Sequence, residues 1–398
     1  MRQQKSTKAA PRFTQIVLVG ERHFLEYNKT AIMHKIFQSL PLTYRFVDIS
    51  SDSKSRIWRK LNYIISYFKL LCSLGQAQRG EILWLSEFKF SLAHALCAKL
   101  IAKLHGMILI GGPHTLAADS VLLTDPSYQR RNFLLSQKLK LYLLNRIDGL
   151  IVSTFDVVQS YTTLYAERAK KLARHSNKPT IVFPIGHSLD RQPTTWEPSF
   201  KKTGQLRVVF WGIANALHGL DVLPPAVDYL RNLGINVKVY IFASANYFVT
   251  STFLEVKRRK LEDQFVLDSY TWVKNDYSKV LFADLAISHL VSPAIHKSAR
   301  QLMNAISTPN KLYEILGLGM PALVAKTDAV IDAIGLDSSV YVEQGDSNSL
   351  TQVLQSVYQD EIDLREIAKR GQLIAHTQYS LQSSANNVAM QLDQLPIP

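Results

Sequence analysis

Short apolar runs alternate with helix-period segments along most of the chain. Residues 16–20 have the continuity and length of a buried strand, and a helical pattern follows over 28–40. Residues 44–49 predict another strand, and residues 57–74 a long helix. Four more strands are expected at 81–86 (EILWLS), 107–111 (MILIG), 149–153 (GLIVS) and 179–183 (PTIVF), mostly separated by helical sequence. These runs are continuously apolar rather than alternating. Such strands belong to a parallel sheet covered on both faces, so a doubly wound α/β domain is expected over 1–190.

The texture changes after residue 190. Residues 191–205, with Pro193 and Pro198 and no apolar period, read as an interdomain linker. A second alternation then begins at 206–212 (LRVVFWG). It continues through 237–243, 265–267, 284–290 (DLAISHL), 321–325 (PALVA) and 340–343. A second doubly wound domain is expected over 206–375. A last helix, within 376–398, is expected to cross back to the first domain. Ligands of such sheets bind at the carboxyl ends of the strands, so two facing sheets predict a shared central cleft.

Composition agrees with folded domains: the chain has 398 residues, 47% hydrophobic and 20% charged, a length that predicts two or three domains. Its two cysteines, Cys72 and Cys97, each lie in an apolar stretch and read as small core residues. That argues against a disulfide scaffold or a four-cysteine zinc site, and no HExxH is present. The apolar run after the basic residues 1–12 is strand length, so no signal peptide is expected. The longest apolar helix, 57–74, is interrupted by Arg59, Lys60 and Lys69, so no membrane span is expected either. A reduced, cytosolic protein follows.

Charge changes the picture. Residues 1–200 carry 28 Lys and Arg against 13 Asp and Glu, while residues 201–398 carry 18 against 19. The whole excess of +14 therefore lies in the first half, a field that attracts phosphates. No nucleic-acid motif accompanies it, which leaves anionic lipid or a lipid-linked sugar as the better partner and argues against nucleic acid. The 57–74 pattern, with a wide apolar arc edged by cations, suits attachment to the anionic inner face of a cell membrane.

Two stretches carry chemistry. In 206–222 a strand ends at Gly212, and His218-Gly219 opens a helix whose free N–H groups can hold an anion. Pro224 and Pro225 must occupy its first turn. In 307–325, Thr308 can cap a helix with Pro309 at its first position. Asn310, Lys311 and Glu314 then share one turn, and Gly317 and Gly319 end the helix. Lys311 could neutralise a diphosphate while Glu314 accepts hydrogen bonds from a ribose diol.

Two doubly wound domains, the G-x5-HG turn at Gly212–Gly219 and PNKLYEILGLGMP at 309–321 resemble glycosyltransferase family 4, whose fold is GT-B. So do Gln344-Gly345-Asp346 with Leu350, and the strand exit at 184–190. The resemblance implies retaining transfer of a hexose-type sugar from a nucleotide diphosphate donor to a hydroxyl of a glycan or lipid-linked acceptor, without a metal or other cofactor. It implies donor-diphosphate contacts at Gly212, Asn215, His218, Gly219, Asn310 and Lys311, and ribose contact at Glu314. In the first domain it implies His114 for sugar positioning and Asp119 as acceptor base, with a minor role for the loop after Gly20. Three positions depart from the family: Ile213 stands for an arginine, His218 for a lysine, and Ile306 for the first glutamate of a pair. His218 is expected to act as a titratable cation at the diphosphate. The departures keep open a non-catalytic GT-B scaffold, and the fold also admits a nucleotide-sugar epimerase.

Overall fold

The computed structural model describes residues 13, 15–20, 28–40, 42–48, 81–85, 92–112, 135–174, 177–183, 196–269, 276–294, 300–302, 304 and 309–395. They form two compact units. The first comprises residues 1–116, 144–185 and 381–398, and the second residues 117–143 and 186–380.

The first unit holds a six-stranded parallel sheet ordered β2-β1-β3-β4-β5-β6. Its strands are β1 (Gln15–Gly20), β2 (Thr43–Asp48), β3 (Ile82–Leu85), β4 (Ile108–Gly111), β5 (Val157–Ser160) and β6 (Thr180–Val182). Helix α1 (Asn28–Gln38) covers one face, where Met33, Ile36 and Phe37 pack with Trp84 and Phe183. Helix α2 (Leu92–His105) covers the other, joined by Ile151 near the end of α3 (Leu135–Thr154), whose residues 135–143 group with the second unit. Helix α4 (Thr163–Ala173) joins β5 to β6.

The expected strand at 149–153 is not one. Those residues complete α3, and β5 follows a few residues later, pairing β4 on one side and β6 on the other. Gly149 meets the next helix so closely that a β-carbon there would lie 2.4 Å from the Leu172 carbonyl oxygen.

The second unit repeats the plan, with a parallel sheet ordered β12-β11-β10-β7-β8-β9. Its strands are β7 (Leu206–Gly212), β8 (Val237–Ala243), β9 (Phe265–Asp268), β10 (Leu285–His289), β11 (Ala322–Ala325) and β12 (Val340–Val342). The helices are α5 (Phe200–Thr203), α6 (Leu223–Asn232), α7 (Tyr247–Arg258), α8 (Asn310–Gly317), α9 (Asp328–Ile334), α10 (Ser347–Tyr358) and α11 (Leu364–Gln378).

The later part of the expected linker is built into this unit. Trp196 is buried and donates its indole N–H to the Ala283 carbonyl at 2.8 Å, and Phe200 lies in the core. The fully buried Asp284 carboxylate accepts from the Ser199 and Phe200 N–H groups, the Ser199 hydroxyl and the Arg207 N–H. The final helix α12 (Leu381–Asp393) lies in the first unit, where Ala385, Val388 and Leu392 join the α1 face. Gln391 exchanges two 2.8 Å bonds with the backbone of Val182.

Candidate functional site

The second unit gathers its chemistry at the carboxyl ends of β7 and β10 and the amino terminus of α8. β7 ends at Gly212, whose φ of 108° favours glycine. A β-carbon there would stand 3.5 Å from Lys311 Nζ, in ordinary contact. The loop that follows is tied down locally. Asn215 accepts the Leu217 N–H at 2.9 Å, and Asn246 donates to the Ala214 carbonyl at 2.8 Å. Gly219, at φ 59°, caps a short 3-10 turn over Leu220–Val222 that runs into α6, with Pro224 and Pro225 in the first turn as expected.

The loop after β10 pairs with this segment. Leu290, Val291 and Ser292 donate N–H bonds to the carbonyls of His218, Leu217 and Ala216 at 3.1, 3.1 and 2.8 Å. Val291 takes φ 63°, a left-handed conformation that a β-branched residue adopts only under constraint. Ser292 Oγ donates to Asp221 Oδ2 at 2.5 Å. Burial pushes the Asp221 carboxyl up, and the Ser292 bond offsets part of that rise. Gly345, N–H bonded to the Leu290 carbonyl, precedes Asp346, whose carboxylate caps α10 through the Asn348 and Ser349 N–H groups.

Helix α8 starts one place later than its sequence predicts. Pro309 is the extended capping residue rather than the first helical one, and Asn310 opens the helix. Thr308 lies outside the described residues. Lys311 folds its side chain over Phe210, with Nζ 3.5 Å from the ring centroid. That ammonium is enclosed without a hydrogen-bond partner, and so is Asn310 Oδ1. Burial lowers the Lys311 pKa to about 7, against an upward pull from Glu314. Glu314, one turn along α8, is partly buried.

His218 lies edge-on to Phe210 at 5.1 Å, so one aromatic ring supports both side chains. The structure corrects the charge expected at His218. Its Nδ1 accepts the Asn215 N–H at 3.2 Å, which requires that nitrogen to be unprotonated. Burial first, and then Lys311 and His289, hold its pKa well below the ordinary histidine value. With Nδ1 accepting, a single ring proton lies on Nε2.

His289 is a member of the cluster that sequence reasoning missed. The β10–β11 register shifts between Ile287 and His289, a bulge-like irregularity of the kind that re-aims a side chain. His289 is 1% exposed, and neither ring nitrogen has a hydrogen-bond partner. Burial, followed by the Lys311 charge, lowers its pKa to about 3. The available signal was a histidine near the end of the apolar run 284–290. Phe210 and the Ser292–Asp221 pair were also missed, since neither departs from an ordinary strand or loop pattern.

Gly212, Asn215, His218, Gly219, Asn310 and Lys311 therefore surround one neighbourhood, with Glu314 following on α8. Ile213 is 69% exposed beside it. His114, Asp119, Ile306 and the loop after Gly20 lie outside the described residues, as do Cys72, residues 57–74 and the strand exit at 184–190. Cys97 is partly buried against the core between α2 and the sheet. Among the described residues, no group of three or more His, Cys, Asp or Glu side chains is placed to hold a metal ion. No described helix is long and apolar enough to cross a membrane.

The sequence matches no known protein family and no curated protein. Solved structures do match. HepE from Anabaena, determined in complex with UDP, is 12% identical with a TM-score of 0.68, covering 96% of this chain and 100% of that one. A sucrose-phosphate synthase from Thermosynechococcus elongatus is 11% identical with a TM-score of 0.64, covering 94% and 96%. WaaB, a lipopolysaccharide outer core galactosyltransferase, is 12% identical with a TM-score of 0.57, covering 94% and 98%. Two parallel six-stranded sheets with flanking helices, superimposable on these chains over nearly their whole length, establish the fold as GT-B.

Proposed function

We propose that this protein is a glycosyltransferase of the family 4 type, which binds a nucleotide diphosphate sugar through its second unit. The carrying observation is the enclosed, unpaired Lys311 ammonium at the amino terminus of α8, beside Gly212 and over Phe210. Leaving a buried cation without a partner is costly, and a diphosphate supplies the missing charge. Asn310, the Nε2–H of His218 and the free N–H groups of the α8 terminus add donors around the same anion. Glu314, one turn further, accepts hydrogen bonds from the ribose diol.

The proposed reaction transfers a hexose-type sugar to a hydroxyl of a glycan or lipid-linked saccharide. The bond from the anomeric carbon to the diphosphate oxygen breaks, and a bond from that carbon to the acceptor oxygen forms. The acceptor proton passes to Asp119, the acceptor base, and the diphosphate departs as its anion. Charge grows on the diphosphate as its bond lengthens, so the fixed donors and Lys311 stabilise the transition state more than the bound substrate. Retention of configuration, His114 as the sugar-positioning residue and Asp119 as the acceptor base belong to the same proposal. So does work at the cytoplasmic face of a membrane on a lipid-linked acceptor, for which the basic first half of the chain is support.

Calorimetry with UDP, GDP, ADP and their sugar derivatives tests the assignment. Glu314→Ala should weaken every nucleotide that binds by roughly 10- to 100-fold, as loss of a charged hydrogen bond does. Unchanged affinity would overturn the ribose contact. A second reading, a non-catalytic nucleotide-binding scaffold, draws on Ile213, an exposed apolar side chain where the resemblance implies arginine. Nucleotide binding with no sugar released or transferred, across donors and acceptors, would favour it.

A further inference from the structure

His289 sits where the second unit gathers its donors. β10 pairs with β7 so that Ala286 lies opposite Val209, and that register, carried three residues on, sets His289 level with Gly212. Neighbouring strands lie about 4.8 Å apart. A β-carbon on Gly212 would stand 3.5 Å from Lys311 Nζ, so His289 and Lys311 share one carboxyl edge of the sheet. On its other side His289 pairs with Val324 of β11, just past the register shift. Its ring is buried, and both nitrogens lack a hydrogen-bond partner. Buried polar groups in native proteins are almost always paired, and an orphan is costly. The loop that follows has no amides to spare for a ligand here. The N–H groups of Leu290, Val291 and Ser292 are spent on the carbonyls of His218, Leu217 and Ala216.

What His289 requires of a ligand differs from what its neighbours require. Lys311 has only donors, and His218, whose Nδ1 is occupied by the Asn215 N–H, has one donor left. Both suit an anion. The His289 ring carries a single proton near neutral pH, so one nitrogen donates and the other accepts. Asn310 Oδ1 is a second enclosed acceptor without a partner. A diphosphate esterified at both ends has no proton to give, and it leaves both acceptors unpaired. Hydroxyl groups fill them. In a nucleotide sugar the hydroxyls available are those of the ribose, which Glu314 already takes in this reading, and those of the transferred sugar.

We infer that His289 reads the transferred sugar: one ring nitrogen accepts a hydrogen bond from a sugar hydroxyl while the other donates to a phosphate oxygen. Asn310 Oδ1 is the second hydroxyl acceptor. The assignment rests on the second unit being a nucleotide-sugar site, and it makes His289 a specificity-determining residue there.

The test is calorimetry on the full chain with matched pairs of ligands: UDP and UDP-glucose, GDP and GDP-mannose, ADP and ADP-glucose. His289→Phe keeps an aromatic ring and removes both nitrogens. In the pair that binds, it should weaken the sugar derivative by roughly tenfold more than it weakens the bare nucleotide. His289→Gln, which keeps a donor and an acceptor, should restore most of that difference. A merely structural histidine would weaken both members of a pair alike. Nitrogen-15 spectra of the wild-type histidine rings supply a readout that does not depend on the phenylalanine variant folding. The unprotonated nitrogen of His289, identified by its absence in His289→Gln, should shift further with the sugar derivative than with the bare nucleotide. Equal loss of affinity for both members of the pair, or no loss for either, would overturn the assignment and leave nucleotide binding standing. So would a ring nitrogen that shifts equally with both. A chain that binds no nucleotide at all would overturn this assignment and the reading beneath it together.

Discussion

Gly219 faces the backbone of Val291 with no room for a side chain: a β-carbon would stand 2.6 Å from both the amide nitrogen and the carbonyl carbon of Val291. Both residues are left-handed, at φ 59° and 63°, and the chains on either side exchange three backbone hydrogen bonds. The loop after β7 and the loop after β10 are thus locked together where His218 and His289 lie. Gly219→Ala should cost about 2–3 kcal/mol in stability, since both neighbours are backbone and cannot swing aside. It should also weaken nucleotide binding. Denaturant unfolding and calorimetry on the same sample check both, and an alanine variant of native stability would contradict the close approach.

Asp284 holds the entry segment to the second unit with one carboxylate and four donors, none of them a charged side chain. Asp284→Asn keeps the shape but turns an NH2 group toward at least one of those donors. The expected loss is about 2–3 kcal/mol, the range for removing hydrogen bonds to a charged buried group. Because the Ser199–Phe200 turn depends on this carboxylate, residues 196–205 should become an early site of protease cleavage. Unchanged proteolysis and unchanged stability would show that Trp196 and Phe200 suffice to hold the segment.

The contrast between the two units explains what was legible in the sequence. Strands 206–212 and 237–243 were read to the residue, because their continuous β-branched and aromatic runs end at Gly212 and Ala243. The run GLIVS at 149–153 carries the same residue types, yet it is the buried end of α3, and a short apolar run does not by itself separate the two cases. The true strand, VVQS, is half polar and shows no continuous apolar run. Gln159 is buried there because its side-chain oxygen accepts the Trp84 indole N–H at 2.7 Å, a pairing that no local pattern reveals. At the site, Lys311 is legible from its place in the helix start, but its landing on Phe210 depends on bringing together a strand and a helix a hundred residues apart. The charge of His218 was misjudged for the same reason, since the Asn215 N–H that fixes its tautomer and the burial that lowers its pKa belong to the tertiary structure.

Lys311 should make the ligand-free protein less stable than it need be. Its folded pKa of about 7 lies below the unfolded value near 10.5, so between those values the unfolded state binds more protons. Stability from this group therefore rises as pH increases from about 7 toward 10.5. Lys311→Met keeps the stem over Phe210 and removes the charge. It should stabilise by roughly 1–3 kcal/mol at pH 7, with the gain over wild type shrinking as pH approaches 10. Thermal unfolding of both proteins across that range measures the difference directly. The same variant should lose nucleotide binding, so stability and binding should change in opposite directions.

The pH dependence of donor binding distinguishes Lys311 from His218 as the cation at the diphosphate. UDP-glucose is the suitable probe, because its diphosphate does not titrate between pH 6 and 9. Lys311 is half protonated near pH 7 when the site is empty, and two phosphate charges raise that value on binding. Binding therefore takes up a proton at and above pH 7. Affinity should be nearly level below pH 7 and should fall as pH rises from about 7 to 9, with a limiting slope of about tenfold per pH unit. If His218 were the cation, its lowered free pKa would place the decline at lower pH than that of Lys311. His218 cannot take a second proton without losing the Asn215 N–H bond to Nδ1, so its variant should leave the slope in place. His218→Asn is thus expected to lower affinity evenly across the range, by removing one donor. Lys311→Arg should abolish the slope, because a guanidinium stays charged throughout. Calorimetry in buffers of different ionisation enthalpy counts the proton directly, with about half a proton taken up at pH 7. A slope that disappears in His218→Asn and survives in Lys311→Arg would return the cationic role to the histidine.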